Sequence, residues 1–192
     1  MDRPQLNELK NERRVNSEKA LKALRAVEPL LADLPLSDAV KSLRSNDLKS
    51  LREFRYAALF CYGISKYYGF PIDFVFKEAS DYDFVASWQS DDQQHFAPVQ
   101  MKEVVPERLN RTAALQKTID KLTKYPSSHD LTVAILINRN RELKLEKITL
   151  PNINIAALWL FWAASPDQFL WCLYGNMLEK PEHTYFEYPM QI

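Results

Sequence analysis

The sequence predicts a mixed α/β fold, and three observations carry that expectation. Apolar residues recur at helical spacing through the N-terminal part of the 192-residue chain, and from Phe70 onward the pattern changes to short runs rich in aromatic and β-branched side chains. Helical spacing then returns at residues 109–125. An unbroken apolar run of strand length follows at residues 131–137. Helix, three strands, helix, strand is the resulting order, which differs from the regular alternation of a βαβ array.

Residues 1–36 read as a helical extension, with Leu6, Leu9, Leu21, Leu24, Val27 and Leu31 at roughly helical spacing and Pro29 and Pro35 ending it. Arg13, Arg14, Lys19, Lys22 and Arg25 alternate with Glu12 and Glu18, the pattern of a salt-bridged surface helix. The core domain is expected over residues 37–150. Its first helix presents Leu48, Leu51, Phe54, Ala58 and Cys61, with Ser45 or Asn46 as the cap and Gly69 as the stop. Residues 70–78, 83–88 and 95–105 are three meandering strands, separated by Ser80-Asp81 and by the run QSDDQQ and closed by Pro106.

The second helix places Thr112, Leu115, Ile119 and Leu122 on one face and Lys117, Lys121 and Lys124 on another. Residues 131–137 (LTVAILI) suit a central strand covered on both sides. An edge strand is expected at residues 143–150. Residues 151–192 read as an aromatic-rich helical extension packed on the core, since Asn154 and Ser165-Pro166-Asp167 look like helix starts. Its Trp159, Trp162 and Trp171, with Phe161, Phe169 and Tyr174, would fill a C-terminal core or a dimer interface.

Composition excludes several function classes. Lys plus Arg and Asp plus Glu both number 25, so no overall field attracts nucleic acid or a membrane, and any contact with DNA must be weak or local. A second copy of the chain or a partner protein would supply further positive surface. The three glycines, Gly63, Gly69 and Gly175, are not spaced for a dinucleotide or phosphate loop. Cys61 and Cys172 cannot build a disulfide framework, and His95, His129 and His183 lack zinc-ligand spacing. The polar N-terminus is unlike a signal peptide, and the apolar stretch 155–164 is too short to span a bilayer, so a soluble cytoplasmic protein with no membrane partner is expected.

One constellation carries chemistry. Symmetric antiparallel pairing about the loop at residues 89–94 sets Asp83 opposite Gln100, and alternation puts Lys102 on the same face as Gln100. A carboxylate and an amide oxygen suit a hard cation such as Mg²⁺, with Mn²⁺ as its substitute. A lysine beside them would stabilise charge on a phosphate or orient the attacking water. Asp73, on the first strand, is a reserve ligand. Arg108, Arg111, Lys117 and Lys121 would form a track for the phosphate backbone next to this group.

Asp83, sixteen intervening residues, and then Gln100-Met101-Lys102 on neighbouring strands between two helices resemble the PD-(D/E)xK nuclease superfamily. The resemblance covers residues 37–139 and implies a restriction-endonuclease-like α-β-β-β-α-β core. It assigns catalytic roles to Asp83, Gln100 and Lys102 and metal binding to Asp83 and Gln100, with Glu53 on the first helix as a further metal ligand. It implies Mg²⁺-dependent hydrolysis of DNA phosphodiesters. Tyr82 stands where the motif has proline, and Gln100 where it has an acid. Loss of that charge leaves a second expectation open: a catalytically inactive nuclease-fold protein acting as a structural or regulatory subunit.

Overall fold

The computed structural model describes residues 3–32, 35, 37, 43–77, 79, 81–125, 128–139 and 144–190. Two N-terminal helices, α1 (Arg3–Asn11) and α2 (Ser17–Ala32), flank the two-residue strand β1 (Val15–Asn16). The Asn16 side chain accepts the N–H of Lys19 at 3.0 Å, capping α2, while its amide donates to Asp73 at 3.0 Å. Asp73 is thereby engaged away from the other candidate ligands. The second helix runs through residue 29 to Ala32, past the end expected at Pro29. Glu18 pairs with Lys22 at 2.8 Å, as the interleaved charges suggested.

Helix α3 (Lys49–Tyr68) follows a 3₁₀ turn, Asn46–Leu48, so its cap position falls on Leu48, which makes no side-chain cap hydrogen bond, and not on Ser45 or Asn46 as expected. Residues 56–64 are buried without a break, because α2 and the sheet cover opposite sides of the helix. Gly63 permits this approach: a Cβ there would lie 2.8 Å from the Phe186 ring. Gly69 ends the helix at φ 78°, the left-handed conformation that glycine adopts without penalty.

Eight strands form one mixed sheet in chain order. After β1 come β2 (Asp73–Val75), β3 (Phe84–Ser90), β4 (Gln93–Val104), β5 (Ser128–Ile137), β6 (Ile155–Ala163), β7 (Leu170–Gly175) and β8 (Glu182–Glu187). The β3–β4 hairpin turns on Asp91 and Asp92 at φ 50° and 59°, the geometry whose twist matches that of the flanking strands. Strands β4, β5 and β6 run parallel, and the other neighbours are antiparallel. Between β4 and β5 lie the short helix α4 (Leu115–Asp120) and a 3₁₀ turn, Lys121–Lys124. Ile119 and Leu122 pack on the face of the sheet opposite α3. The central strand β5 is buried on both sides as expected, with Val133, Ile135 and Ile137 toward α4 and Ala134 and Leu136 toward α3.

Several expectations are corrected. The residue 151–192 extension is not helical but supplies β6 to β8, so the sheet joins all three of the expected segments. The helix start read at Asn154 fails because the following run alternates: Leu158 and Leu160 fill one side and Trp159 and Phe161 the other. At Ser165-Pro166-Asp167 the polar side chains fold a turn. Asp167 accepts the Phe169 N–H at 3.1 Å, and Ser165 Oγ accepts that of Leu170 at 2.9 Å. Over its described residues the edge strand expected at 143–150 is a 3₁₀ turn at Leu145–Lys147, and the first core strand expected at 70–78 narrows to Asp73–Val75, positions 143 and 78 lying outside the described residues. The helix at residues 109–125 shortens because Asn110 Oδ1 accepts the N–H groups of Thr112 and Ala113 at 3.0 and 3.1 Å, which holds a turn there.

Candidate active site

Strand β4 changes neighbours along its length, and the candidate site forms where it does. Up to Val99 it pairs with β3, and from Val99 to Val104 it pairs with β5 on its other edge. Its β3-facing edge is therefore open after Val99, because the chain before Phe84 leaves the sheet. The register sets Phe84 against Val99, which carries Asp83 to its expected place opposite Gln100. Asp83 continues the ladder by other means. Its backbone N–H bonds Val99 O at 2.9 Å, and its carboxylate accepts the Met101 N–H at 2.6 Å.

The same carboxylate oxygen also accepts the Gln100 amide. An ionised carboxylate is an acceptor only, so the glutamine must present its NH₂ to Asp83. Its oxygen then faces inward and accepts the Tyr125 hydroxyl at 3.1 Å. Gln100 is buried at 8% exposure, with both ends of its amide engaged. In this arrangement it orients the acid and offers no oxygen to an ion. Lys102 lies on the same face, its Nζ 6.0 Å from the Tyr125 ring centre, and Lys124 approaches that ring to 5.0 Å.

Asp83 and Lys102 line a recess of about 120 Å³ together with Glu53, Arg52 and Tyr56 of α3 and with Glu103. Glu53 pairs with Lys49 at 3.5 Å and is otherwise directed at this recess. The four residues of the expected constellation thus meet in one region, Gln100 as a support behind Asp83. Among the described residues no three of His, Cys, Asp and Glu stand close enough together to hold a metal ion as a set. Two carboxylates with water and substrate oxygens are an ordinary donor set for Mg²⁺, so Asp83 and Glu53 fit that ion.

Glu103 was not singled out in the sequence. It projects from β4 opposite Lys102, forms a forked ion pair with Arg44, and accepts from Asn138 at 3.1 Å and Tyr56 at 3.4 Å. Burial pushes the Tyr56 hydroxyl up to about 12, and the Glu103 charge adds to the effect. Desolvation, the largest single effect, pulls Arg44 down, but the hydrogen bonding to Glu103 together with the Tyr56 and Glu103 charges outweighs it and holds Arg44 above its ordinary value. The partners are 59 residues apart in the chain, so only the charge next to Lys102 hinted at this group.

Arg108, Arg111, Lys117 and Lys121 are all exposed. The lysines lie on α4 and the 3₁₀ turn that leads to Tyr125, beside Lys102, and the arginines lie on the loop after β4. His95 stacks on Trp88 and His183 on Tyr185, uses that do not involve a metal. Cys61 and Cys172 are buried, and desolvation pushes Cys61 well above its ordinary value and Cys172 up to about 12. Trp159 and Trp171 fill the α3-side core, while Trp162 packs against the other. No helix among the described residues is long and apolar enough to cross a membrane. Compared with known families, curated proteins and solved structures, the chain gives no match.

Proposed function

We propose that this chain is a metal-dependent nuclease with a restriction-endonuclease-like core, hydrolysing DNA phosphodiester bonds in the recess at the open edge of β4. The observation that carries the reading is the placement of Asp83, Lys102 and Glu53 around one recess, on the elements the PD-(D/E)xK resemblance requires. The order α3, β2, β3, β4, α4, β5, with three antiparallel strands and then a parallel one, supports the same core.

Asp83 and Glu53 would hold Mg²⁺ or Mn²⁺, which when bound would polarise phosphate oxygens and activate water. Gln100 keeps Asp83 aimed by donating to it from a buried position. Lys102 supplies a positive charge where the phosphate develops negative charge, and it hydrogen-bonds the attacking water. Lys117, Lys121, Arg108 and Arg111 bind the DNA backbone and carry no sequence preference. A second reading, a nuclease-fold protein that does not cleave, is favoured by the double engagement of one Asp83 oxygen with Gln100 and Met101.

Plasmid and linear DNA incubated with the protein and Mg²⁺ or Mn²⁺ separates the two. Cleavage is expected, and Lys102→Ala and Asp83→Ala each lower it by about 100-fold or more, the scale on which removing one transition-state hydrogen bond acts. Circular dichroism should show both variants folded. Intact DNA after incubation with the parent protein in either metal, or cleavage that survives both substitutions, overturns the proposal.

A further inference from the structure

The recess that holds Asp83, Glu53 and Lys102 also has an aromatic wall. Its volume is about 120 Å³, against about 600 Å³ for the cleft past the carboxyl ends of β4, β5 and β6. Phe76 and Phe84 line it beside the charged side chains. Phe84 is buried at 1% exposure, whereas Phe76 is 40% exposed. Single exposed apolar side chains are ordinary on a protein surface. What sets Phe76 apart is its place: among the exposed large apolar side chains of the described residues, it is the one that lines this recess.

Local structure fixes the ring. Phe76 is the central residue of a γ-turn that ends β2, in which the Lys77 N–H donates to Val75 O at 3.1 Å. Before it Val75 is buried in the sheet, and after it Lys77 is held by Glu8 of α1 and, at 3.2 Å, by Glu12. The Phe76 ring meets that of Phe54, on α3, at 5.5 Å and 82°, and Phe54 in turn meets the fully buried Phe74 at 5.3 Å and 61°. Edge-to-face contacts of this kind are favourable for aromatic pairs. Phe54 directly follows Glu53, so the support of the ring and one of the carboxylates belong to the same turn of α3.

An aromatic ring braced from behind, beside groups suited to a phosphate, is the arrangement on which a nucleic-acid base stacks. Every base has a π-face, so the contact discriminates little between sequences. It discriminates between structures. A duplex has to unstack and unpair a base before one can lie on a ring, and a single strand does not. Pockets that enclose a drug-sized molecule measure roughly 300–1,000 Å³, so this smaller recess admits part of one nucleotide and no base pair.

We infer that Phe76 stacks a base next to the phosphate held at Asp83 and Lys102, and that the substrate class of the site is DNA with unpaired bases: single strands, frayed ends and strand junctions. The inference deepens the nuclease reading and rests on it for the bound phosphate. Plasmid and linear duplex are then cut where their bases come unpaired.

The test compares a fluorescein-labelled oligothymidylate strand with the same strand paired to oligoadenylate. Binding to the 192-residue chain is read by fluorescence anisotropy in Ca²⁺, which takes oxygen ligands without demanding the octahedral geometry of Mg²⁺. The parent should bind the single strand more tightly than the duplex. Phe76→Ala should weaken single-strand binding about tenfold, the effect of losing one stacked base, and leave duplex binding unchanged. Phe76→Leu keeps an apolar side chain against Phe54 and should weaken it as well, whereas Phe76→Trp should retain the parent affinity, so that the readout follows the ring and not the packing. Equal binding of strand and duplex by the parent, no saturable binding of the strand, or single-strand affinity unchanged in Phe76→Ala and Phe76→Leu overturns the inference. Cleavage in Mg²⁺ separates it from the reading beneath. A parent that cuts DNA while its single-strand affinity is indifferent to Phe76 keeps the nuclease and loses the stacking; strand binding that follows Phe76 without any cleavage keeps the stacking and loses the nuclease.

Discussion

The small recess over β4 and the larger cleft beyond its end share the wall made by Tyr56, and they differ in the charged groups that line them. The recess gathers Asp83 and Glu53 with Lys102 and Arg52, whereas the described lining of the cleft holds five arginines and Asp167, with Arg44 among them paired to Glu103. Glu103 stands between them. It faces the recess but spends its charge on Arg44, which belongs to the cleft. An internal ion pair thus sits between two concavities whose linings carry different charged groups. The pair is mostly sheltered, with side-chain exposures of 14% and 15%.

Removing that partition should have the largest effect. Glu103→Ala leaves the Arg44 guanidinium sheltered without its carboxylate and also strips acceptors from Asn138 and Tyr56, so urea denaturation should show a loss of about 3 kcal/mol. Glu103→Gln keeps the acceptor oxygen and should lose roughly half as much. A loss from Glu103→Ala within about 0.5 kcal/mol, the size of a change at an ordinary surface position, would mean that the pair is no partition.

The Tyr56 hydroxyl gives the comparison a pH signature. Its folded value, pushed up to about 12 by burial and by Glu103, lies above the value near 10 of an unfolded chain. The protonated phenol therefore favours the folded state, fully so below pH 10, and this contribution fades as pH rises from about 10 to about 12. The full loss is about 3 kcal/mol, because each tenfold difference in proton affinity between the folded and unfolded chains is worth roughly 1.4 kcal/mol. Urea midpoints measured from pH 8 to 12 should fall more steeply for the parent than for Tyr56→Phe. Parallel curves would show that the phenol is not sheltered between the two sites.

How much of this was legible in the sequence depends on range. The β3–β4 register could be read because a two-residue turn fixes it locally, and Asp83 met Gln100 as the loop centre implied. Strand β6 was misread because both of its faces are buried, which erases the alternation that marks a strand, and because Ala, Leu and Trp are equally at home in helices. Ser165-Pro166-Asp167 offered a helix start in composition, but its side chains were spent on a turn. The cleft was invisible. Its arginines come from α2, from α3 and from separate loops, and nothing in their spacing says that they meet.

The smallest effect concerns which site the exposed lysines serve. Lys117 and Lys121 lie on the α4 side, where Lys102 and Lys124 flank Tyr125, and neither lines the arginine cleft. Replacing both with alanine should leave stability within about 0.5 kcal/mol, because exposed lysines bury little and hold no structural bond. Every phosphate that the protein ceases to neutralise should flatten the dependence of log affinity on log salt by about 0.9, so DNA binding by the double variant should show a slope reduced by between about 1 and 2. Cleavage at low salt should fall only in proportion to DNA affinity, since backbone contacts position the substrate without touching the reacting phosphate. A DNA salt slope that stayed at the parent value in the double variant would show that these lysines take no part in neutralising the backbone.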